Sequence, residues 1–248
     1  MMLRNFVCLA AFGISLVAQV PVLTGKFILA EESSTSATLG LLTFEASGAV
    51  AGTQYIQASG VTQAAPVTGT YTVAADGSGV LLLTSQIVTE DGLAPATPAV
   101  YEFLRAKAGG FVALRRDGAA ATLADVLPAA SSSTFNGSFL FADEGTSSSG
   151  QSVAAIGVLN WKADGTIGGL LVVKQNSLSE SKTVEGSYAA DGSGFLQLKL
   201  ATPLAADEDG AVVLRTTPYV FLATAKQELI ALRLDNSMTG LARIEPLQ

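Results

Sequence analysis

The side chains whose types and spacing could carry chemistry in this sequence are arginines and tyrosines that occur twice. Arg115 and Arg233 end two matching apolar segments and stand 118 residues apart. An arginine fork can bind a carboxylate or a phosphate through paired hydrogen bonds. Two interpretations stay open. Each arginine closes the end of its folding unit by pairing with carbonyls or a carboxylate, or it faces an interior and binds an anionic ligand.

Four tyrosines recur with nearly the same spacing, in two pairs that are 117 and 118 residues apart. Aromatic side chains of this kind can line a cavity for a small apolar ligand, and they can equally well fill a core. The candidate ligand-binding residues are therefore Arg115, Arg233, Tyr71, Tyr188, Tyr101 and Tyr219.

Histidine is missing from the sequence, and the single cysteine, Cys8, lies in an apolar stretch near the N-terminus. Without that stretch the chain cannot form disulfides, thiolate or imidazole metal sites, haem ligation by these side chains, or a catalytic triad with a histidine base. We predict no catalytic residue, no metal site and no cofactor. The net charge of −7 also argues against nucleic acid as a partner.

Several acidic pairs could in principle bind a hard cation or cleave glycosides, but their positions favour simpler roles. Glu31-Glu32 and Asp143-Glu144 recur at the same place in the pattern and are expected to start solvated loops. Asp76-Gly77 is a strong hairpin-turn signal and lacks the ligand spacing of a calcium loop. Solvated loops are also expected at Glu90-Asp91 and at Asp207-Glu208-Asp209.

The first 18 residues resemble a secretory signal peptide, with Arg4 before an apolar stretch from Phe6 to Val17 and a small residue, Ala18, at the expected cleavage site. The alternative is a retained anchor, although the stretch is shorter than the roughly 20 residues of a spanning helix. We expect an exported protein in the periplasm, at the cell surface or outside the cell. Its partner would be a small apolar ligand or a component of the cell envelope.

The chain is built twice. Gly69 to Gly79 reads GTYTVAADGSG and returns at Gly186 to Gly194 as GSYAADGSG. Other segments match at offsets between 112 and 118, and the length differences fall in polar stretches, as expected of loops between duplicated folding units.

Each copy contains about eight short apolar segments separated by Gly, Asp or Ser turns, which is typical of small β-barrels and β-sandwiches. We predict an all-β fold with two tandem antiparallel up-and-down β-barrels. Residues 1–18 form the signal peptide, 19–128 the first barrel, 129–134 a linker and 135–248 the second barrel. The alternative is one larger pseudo-symmetric sandwich or barrel formed by both copies.

The two hairpin motifs resemble those of secreted bacterial repeat proteins that carry G-x-Y-x-V-x-x-D-G-x-G hairpins in β-barrel-like units. The second copy departs from this pattern because two residues are missing between Tyr188 and Asp191. In outline the chain is also similar to calycin-like barrels, which bind small apolar ligands. The resemblance implies the fold and export, and it assigns no catalytic residue.

The sequence therefore predicts an exported, non-enzymatic β-barrel protein that acts as a binding or surface-structural module. One alternative is an isomerase-like or cyclase-like barrel enzyme acting on a small apolar substrate, and another is an outer-membrane β-barrel. The state of the barrel interior discriminates between the first two, because an enzyme needs an open cavity and a structural module does not.

Overall fold

The computed structural model describes residues 22–89, 92–106, 109–117, 122–130, 134–147, 152–175, 178–206, 212–235 and 238–247. These residues form β-strands joined by turns, and no helix among them is long and apolar enough to cross a bilayer. The signal peptide predicted for residues 1–18 and the acidic pair Glu90-Asp91 lie outside the described residues, as does the acidic run predicted to be a loop at 207–209.

The first half of the chain forms a closed antiparallel barrel of eight strands, which we name barrel 1. The sheet order is β4-β3-β2-β1-β9-β8-β7-β5, and pairing of β4 with β5 closes the barrel. The short strand β6 pairs with the far end of β5. The strands are β1 (Gly25–Glu32), β2 (Ser36–Phe44), β3 (Ala49–Ala58), β4 (Val61–Val73), β5 (Ser78–Thr89), β6 (Gly92–Pro95), β7 (Ala99–Arg105), β8 (Phe111–Arg115) and β9 (Thr122–Pro128).

The second half forms barrel 2 with the same topology. Neighbouring strands pair in chain order, pairing of β10 with β18 closes the sheet, and the short β17 adds to the end of β10. The strands are β10 (Gly137–Ser147), β11 (Ser152–Trp161), β12 (Thr166–Gln175), β13 (Leu178–Ala190), β14 (Leu196–Ala206), β15 (Val212–Ala223), β16 (Leu229–Arg233), β17 (Met238–Thr239) and β18 (Leu241–Pro246).

The prediction of two tandem up-and-down barrels is confirmed, and the alternative of one larger sheet is wrong because each repeat closes on itself. The strands of the two barrels fall inside the predicted ranges 19–128 and 135–248, and these boundaries stay predictions. Of the predicted linker, Ala129 and Ala130 pair with Thr224 and Ala223 at the end of β15.

The repeated Asp-Gly motif forms the expected tight turn in both barrels. Gly77 and Gly192 have φ angles of +86° and +82°, which an L side chain rarely adopts. The Asp76 carboxylate accepts hydrogen bonds from the backbone N–H and the hydroxyl of Ser78, at 2.9 and 2.6 Å, and Asp191 repeats both bonds. These carboxylates are therefore used within their own turns.

Side chains fill the interior of both barrels. Inward-facing residues alternate along each strand, and at one end of each barrel five rings pack at centroid distances between 4.9 and 6.5 Å. Packed aromatic rings bury large apolar areas and hold one another in fixed geometry. The rings are Phe27, Phe44, Tyr71, Phe103 and Phe111 in barrel 1, and Phe135, Phe139, Trp161, Tyr188 and Phe221 in barrel 2.

The two barrels also pack against each other through their outer surfaces. We call the outer side of the first three strands of a barrel its front face, and the outer side of the strands near its C-terminal end its back face. The front face of barrel 1 contacts the back face of barrel 2 in one buried apolar cluster. The front face contributes Ile28, Leu39 and Tyr55 among others, and the back face contributes Val220, Leu222, Ile230, Leu232 and Leu241.

Candidate functional site

A cluster of polar side chains closes the end of each lumen that lies opposite the aromatic rings. Rim cluster 1 consists of Glu31, Tyr101, Arg115 and Asp117. Rim cluster 2 consists of Asp143, Tyr219, Arg233 and Asp235. In both barrels the tyrosine and the arginine are directly opposite each other on adjacent strands, so they point to the same side of the sheet.

In rim cluster 1 one carboxylate accepts from both the tyrosine and the arginine. The Tyr101 hydroxyl donates to Glu31 Oε2 at 2.5 Å, and Arg115 Nη1 donates to Glu31 Oε1 at 3.1 Å. The other side of the Arg115 fork donates to Asp117, at 3.0 Å from Nε and from Nη2. Val100 N–H also donates to Asp117, which fixes that carboxylate at the strand end. Every charged group of the cluster thus has a partner.

Burial and charge set the protonation of rim cluster 1. Burial raises the pKa of Tyr101, and the nearby Glu31 charge raises it further, so this tyrosine remains a neutral donor. Burial alone would raise the pKa of Asp117, but the hydrogen bonds from Arg115 and Val100 outweigh it and the net shift is downward. The Asp117 hydrogen bond is also the main cause of the raised pKa of Arg115.

Rim cluster 2 has an aspartate in place of the glutamate of rim cluster 1, and the contacts to this first carboxylate are looser. The Tyr219 hydroxyl donates to Asp143 Oδ2 at 2.7 Å, whereas Arg233 Nη1 lies 3.7 Å from the same oxygen. Arg233 instead donates to Asp235 Oδ1 at 2.9 Å and to the Thr217 hydroxyl at 3.2 Å. The other carboxylate oxygen, Asp143 Oδ1, is buried and accepts no hydrogen bond.

The weak pairing of Asp143 with Arg233 leaves the carboxylate charge of Asp143 in an apolar environment. Burial raises the pKa of Asp143, even though the Tyr219 hydrogen bond and the Arg233 charge favour its ionised form. Burial and the Asp143 charge also raise the pKa of Tyr219, so this tyrosine is a neutral donor like its counterpart in barrel 1. The Asp143 carboxyl therefore favours its protonated form more than an ordinary aspartate does.

The other two predicted tyrosines lie at the opposite end of the lumens, where they hold the chain that enters each barrel. The Tyr71 hydroxyl accepts from Leu23 N–H at 3.1 Å and lies 2.6 and 2.9 Å from the carbonyls of Leu23 and Glu45. Tyr188 repeats the arrangement in barrel 2 with Phe135 and Lys162. Their hydroxyls are fully used by backbone groups.

The structure thus brings Tyr101 together with Arg115, and Tyr219 together with Arg233, and it separates Tyr71 and Tyr188 from them. The assignment of these six residues to ligand binding stays a prediction. The expectation of solvated loop starts is wrong for Glu31 and Asp143, because each side chain is buried with only 4% of its residue surface exposed. The position of Glu31 and Asp143 inside a lumen follows from strand alternation. Glu31 lies on the same strand face as the buried Phe27 and Leu29, and Asp143 on the same face as the buried Phe139 and Phe141.

Sequence reasoning also missed Asp117 and Asp235. A signal was available, because each lies two residues after its arginine in both copies. A carboxylate repeated at that spacing is on the same strand side as the arginine and within its reach.

The chain matches no family model, and no curated protein resembles it significantly in sequence.

The rim clusters suit closure of the barrels better than binding of an anion. Each arginine faces two carboxylates, which leaves no net positive charge for an incoming anion. Among the described residues there is no group of three or more metal-ligating side chains. Two surface cavities, of about 710 and 570 Å³, contain no rim-cluster residue, and a third of about 470 Å³ reaches Asp143.

Proposed function

We propose that this chain is an exported, non-enzymatic β-barrel protein that acts as a binding or surface-structural module through the outer faces of its two barrels. The observation that carries the proposal is that, among the described residues, the inward-facing side chains of each barrel pack into one buried core with hydrogen-bonded polar side chains at its two ends. A filled barrel offers no cavity for a substrate, so contact with a partner takes place on the outside.

Most polar groups at these ends pair within their own barrel, the exceptions in the described part of barrel 2 being Asp143 Oδ1 and Trp161 Nε1. At one end the hydroxyls of Tyr71 and Tyr188 hydrogen-bond to the backbone of the entering chain. At the other end Arg115 and Arg233 pair with carboxylates inside the same barrel. Satisfied polar groups at the ends of an apolar core fix one conformation and exclude water from the lumen.

The proposal includes export of the chain and its likeness to secreted repeat proteins. The apolar N-terminal stretch and the hairpin motifs support a place among the secreted bacterial repeat proteins that the chain resembles, in the periplasm, at the cell surface or outside the cell. The partner on the outer faces would be a component of the cell envelope. An N-terminus near Gln19, found by mass spectrometry of the native protein, tests export. Intact Met1 in a cytosolic fraction would contradict it.

The outer surface supports an aqueous environment over an outer-membrane barrel. Residues on the outward side of β13, Ser181, Thr183, Glu185 and Ser187, are exposed and polar. The equivalent side of β4 carries the exposed residues Thr68, Thr70 and Thr72. A strand in a lipid-facing barrel presents apolar side chains outward instead.

One observation favours a second candidate, a barrel that binds or converts a small apolar molecule. The cavity of about 470 Å³ is lined by Asp143 as well as Lys174 and Arg243, and the Oδ1 atom of Asp143 is buried without a hydrogen-bond partner. A protonated Asp143 beside Tyr219 could hold one polar group of such a molecule.

The two candidates separate in a binding experiment with benzene, a probe small enough to enter an apolar cavity. We expect no change in melting temperature for the wild-type protein at any benzene concentration. Leu81→Ala, which removes a buried side chain from the lumen of barrel 1, is the matched control and should be stabilised by benzene. A benzene-induced rise in the wild-type melting temperature, or a small molecule that co-purifies in native mass spectrometry, would contradict the filled-lumen proposal.

A further inference from the structure

Two patches of large apolar side chains are exposed on the outside of the molecule. On the back face of barrel 1, Leu104, Val112 and Leu123 are 66%, 48% and 65% exposed. On the front face of barrel 2, Ile156 and Leu170 are 53% and 50% exposed. Contiguous exposed apolar residues on a soluble protein mark an interaction surface more often than single ones do.

The duplication relates the patch on barrel 1 to a surface that is buried in barrel 2. At an offset of 118 residues, the three back-face residues correspond to residues that are only 2 to 7% exposed because they pack against barrel 1. The buried counterparts are Leu222, Ile230 and Leu241.

The patch on barrel 2 has the reciprocal relation. At an offset of 117 residues, Ile156 corresponds to Leu39, which is fully buried on the front face of barrel 1. Val158 and Val172 in the same patch, each 38% exposed, correspond to Leu41 and Tyr55, which pack against the same interface cluster. The joint between the barrels therefore uses one front face and one back face, and it leaves one of each free.

We propose that this chain associates head to tail with further copies of itself, the free front face of barrel 2 packing on the free back face of barrel 1 in the next copy. The contact would repeat the joint already present inside the chain. Because the two contacting surfaces differ, the association is heterologous and generates a closed ring or an open filament. The inference rests on the proposed role of the outer faces and names a second copy as the partner.

An ion pair across the internal joint supports the same geometry. Arg243 Nη2 of barrel 2 donates to Asp125 Oδ2 of barrel 1 at 3.1 Å. The two residues occupy equivalent positions of the two repeats, 118 residues apart. In a joint between copies their roles reverse, and Asp125 of one copy faces Arg243 of the next. Opposite charges would therefore still meet.

The free back face carries a charged pair where the buried back face is apolar, and this predicts a weaker joint. Barrel 2 buries Val220 and carries Leu234 beside the cluster, whereas barrel 1 has Glu102 and Arg116 at these places. Glu102 and Arg116 form an exposed ion pair at 2.8 Å. Burying this pair between copies costs desolvation, so association between copies should be reversible and concentration-dependent.

The first test converts the free back face into the buried type. Analytical ultracentrifugation of the mature wild-type protein should show an average mass that rises with concentration. The double variant Glu102→Val/Arg116→Leu should lower the dissociation constant by roughly tenfold or more, because it replaces a charged pair by the apolar residues of barrel 2. If the wild type and the double variant both stay monomeric at the highest soluble concentration, the proposal is wrong.

The second test separates head-to-tail from symmetric association. Leu123→Glu disrupts the free back face and Ile156→Glu the free front face, so each variant alone should be monomeric. An equimolar mixture still contains one intact pair of faces and should form a 1:1 dimer that grows no further. Val61→Glu, at a residue 60% exposed outside both faces, is the control and should associate like the wild type.

Circular dichroism checks that each variant is folded, and Leu104→Glu replaces Leu123→Glu if the latter is not. Self-association of either single variant, or a mixture that stays monomeric, would overturn the head-to-tail geometry. A monomeric wild-type protein that binds vesicles of neutral lipid would show that a lipid surface covers the patches instead. A ligand found in a lumen would contradict the filled-barrel proposal without affecting these masses, so the two failures are distinguishable.

Discussion

Rim clusters 1 and 2 share an arginine, a tyrosine and a trailing aspartate, but they differ in the length of the first carboxylate. Glu31 extends far enough to accept from Tyr101 and from Arg115 at 3.1 Å. Asp143 is one methylene shorter, lies 3.7 Å from Arg233 and keeps one oxygen without a partner. A difference of one methylene therefore separates a buried carboxylate with hydrogen bonds to both oxygens from one whose close hydrogen bond comes from a single tyrosine hydroxyl.

The two arginines also differ in exposure. The side chain of Arg115 is 31% exposed and that of Arg233 is 13% exposed. A more buried charge interacts more strongly with its neighbours and is more costly to leave alone. The comparison predicts that barrel 2 depends more strongly on its rim cluster than barrel 1 does.

The largest effect is expected from removal of the arginines. At neutral pH, Arg233→Ala should lower the free energy of unfolding of barrel 2 by about 3 kcal/mol, because it leaves Asp143 buried without a counter-charge. Arg115→Ala should cost barrel 1 about 1 to 2 kcal/mol, since the Arg115 side chain is 31% exposed against 13% for Arg233 and water screens its charge more strongly. Fluorescence of Trp161, the single tryptophan, follows unfolding of barrel 2, and amide hydrogen exchange in β8 follows barrel 1.

Arg116→Ala is the matched control for this pair. It removes the neighbouring arginine, whose side chain is 54% exposed and pairs with Glu102 on the surface, and it should change stability by less than about 1 kcal/mol. Equal losses for all three substitutions would show that burial of the rim clusters does not determine their contribution.

The next largest effect is expected from the tyrosine hydroxyls. Tyr219→Phe removes the one close hydrogen bond of Asp143 and should cost about 2 kcal/mol. Tyr101→Phe should cost about 1 kcal/mol, because Glu31 keeps its bond to Arg115. Denaturant midpoints of the two variants, read with the same two probes, provide the measurement. A larger loss for Tyr101→Phe would reverse the comparison.

Neutralising the first carboxylate should change the stability of the two barrels differently: a loss for barrel 1, and no loss or a gain for barrel 2. Asp143→Asn keeps an acceptor for Tyr219 and removes a poorly paired charge, so we expect stability unchanged or raised by up to about 1 kcal/mol. Glu31→Gln weakens a fully paired group and should cost about 1 to 2 kcal/mol. Thermal melting of both variants at neutral pH tests this, and a clear loss for Asp143→Asn would mean that Arg233 compensates the charge after all.

The repeat pattern predicted the fold because each hairpin signal is local. The positive φ of Gly77 and the alternation around Tyr71 depend on residues only a few positions apart. Closure of each barrel followed from the number of strands and from the cost of leaving sheet edges open. The physics that specifies this fold is therefore visible within short windows of sequence.

The candidate site was predictable only in part. The repetition of Arg115 and Tyr101 in the second copy marked them as candidates, but their mutual contact depends on strand register. Two adjacent glutamates resemble a solvated strand end and so predict a loop at Glu31, but the closure of β1 on β9 buries this residue. The joint between the barrels was equally hidden, since the same pattern of outward residues is buried in one copy and exposed in the other.

The smallest effect is expected from pH, and here the two clusters should respond in opposite directions. The folded-state pKa of Asp143 is raised above its ordinary value of 3.8, so its stabilising contribution is present at low pH and is lost as pH rises through the folded pKa. The folded-state pKa of Asp117 is lowered below 3.8, so its contribution is present above that value and is lost as pH falls below it.

Acidification from neutral pH toward about pH 4 should therefore stabilise barrel 2 through Asp143, and further acidification should destabilise barrel 1 through Asp117. Each contribution is read as the difference between wild type and a variant. Asp143→Asn should remove the rise reported by Trp161 fluorescence, and Asp117→Asn should reduce the loss reported by hydrogen exchange in β8. If Asp143→Asn left the acid-induced rise of barrel 2 in place, a raised pKa at Asp143 would be excluded, and if Asp117→Asn left the loss in barrel 1 in place, the lowered pKa at Asp117 would be excluded.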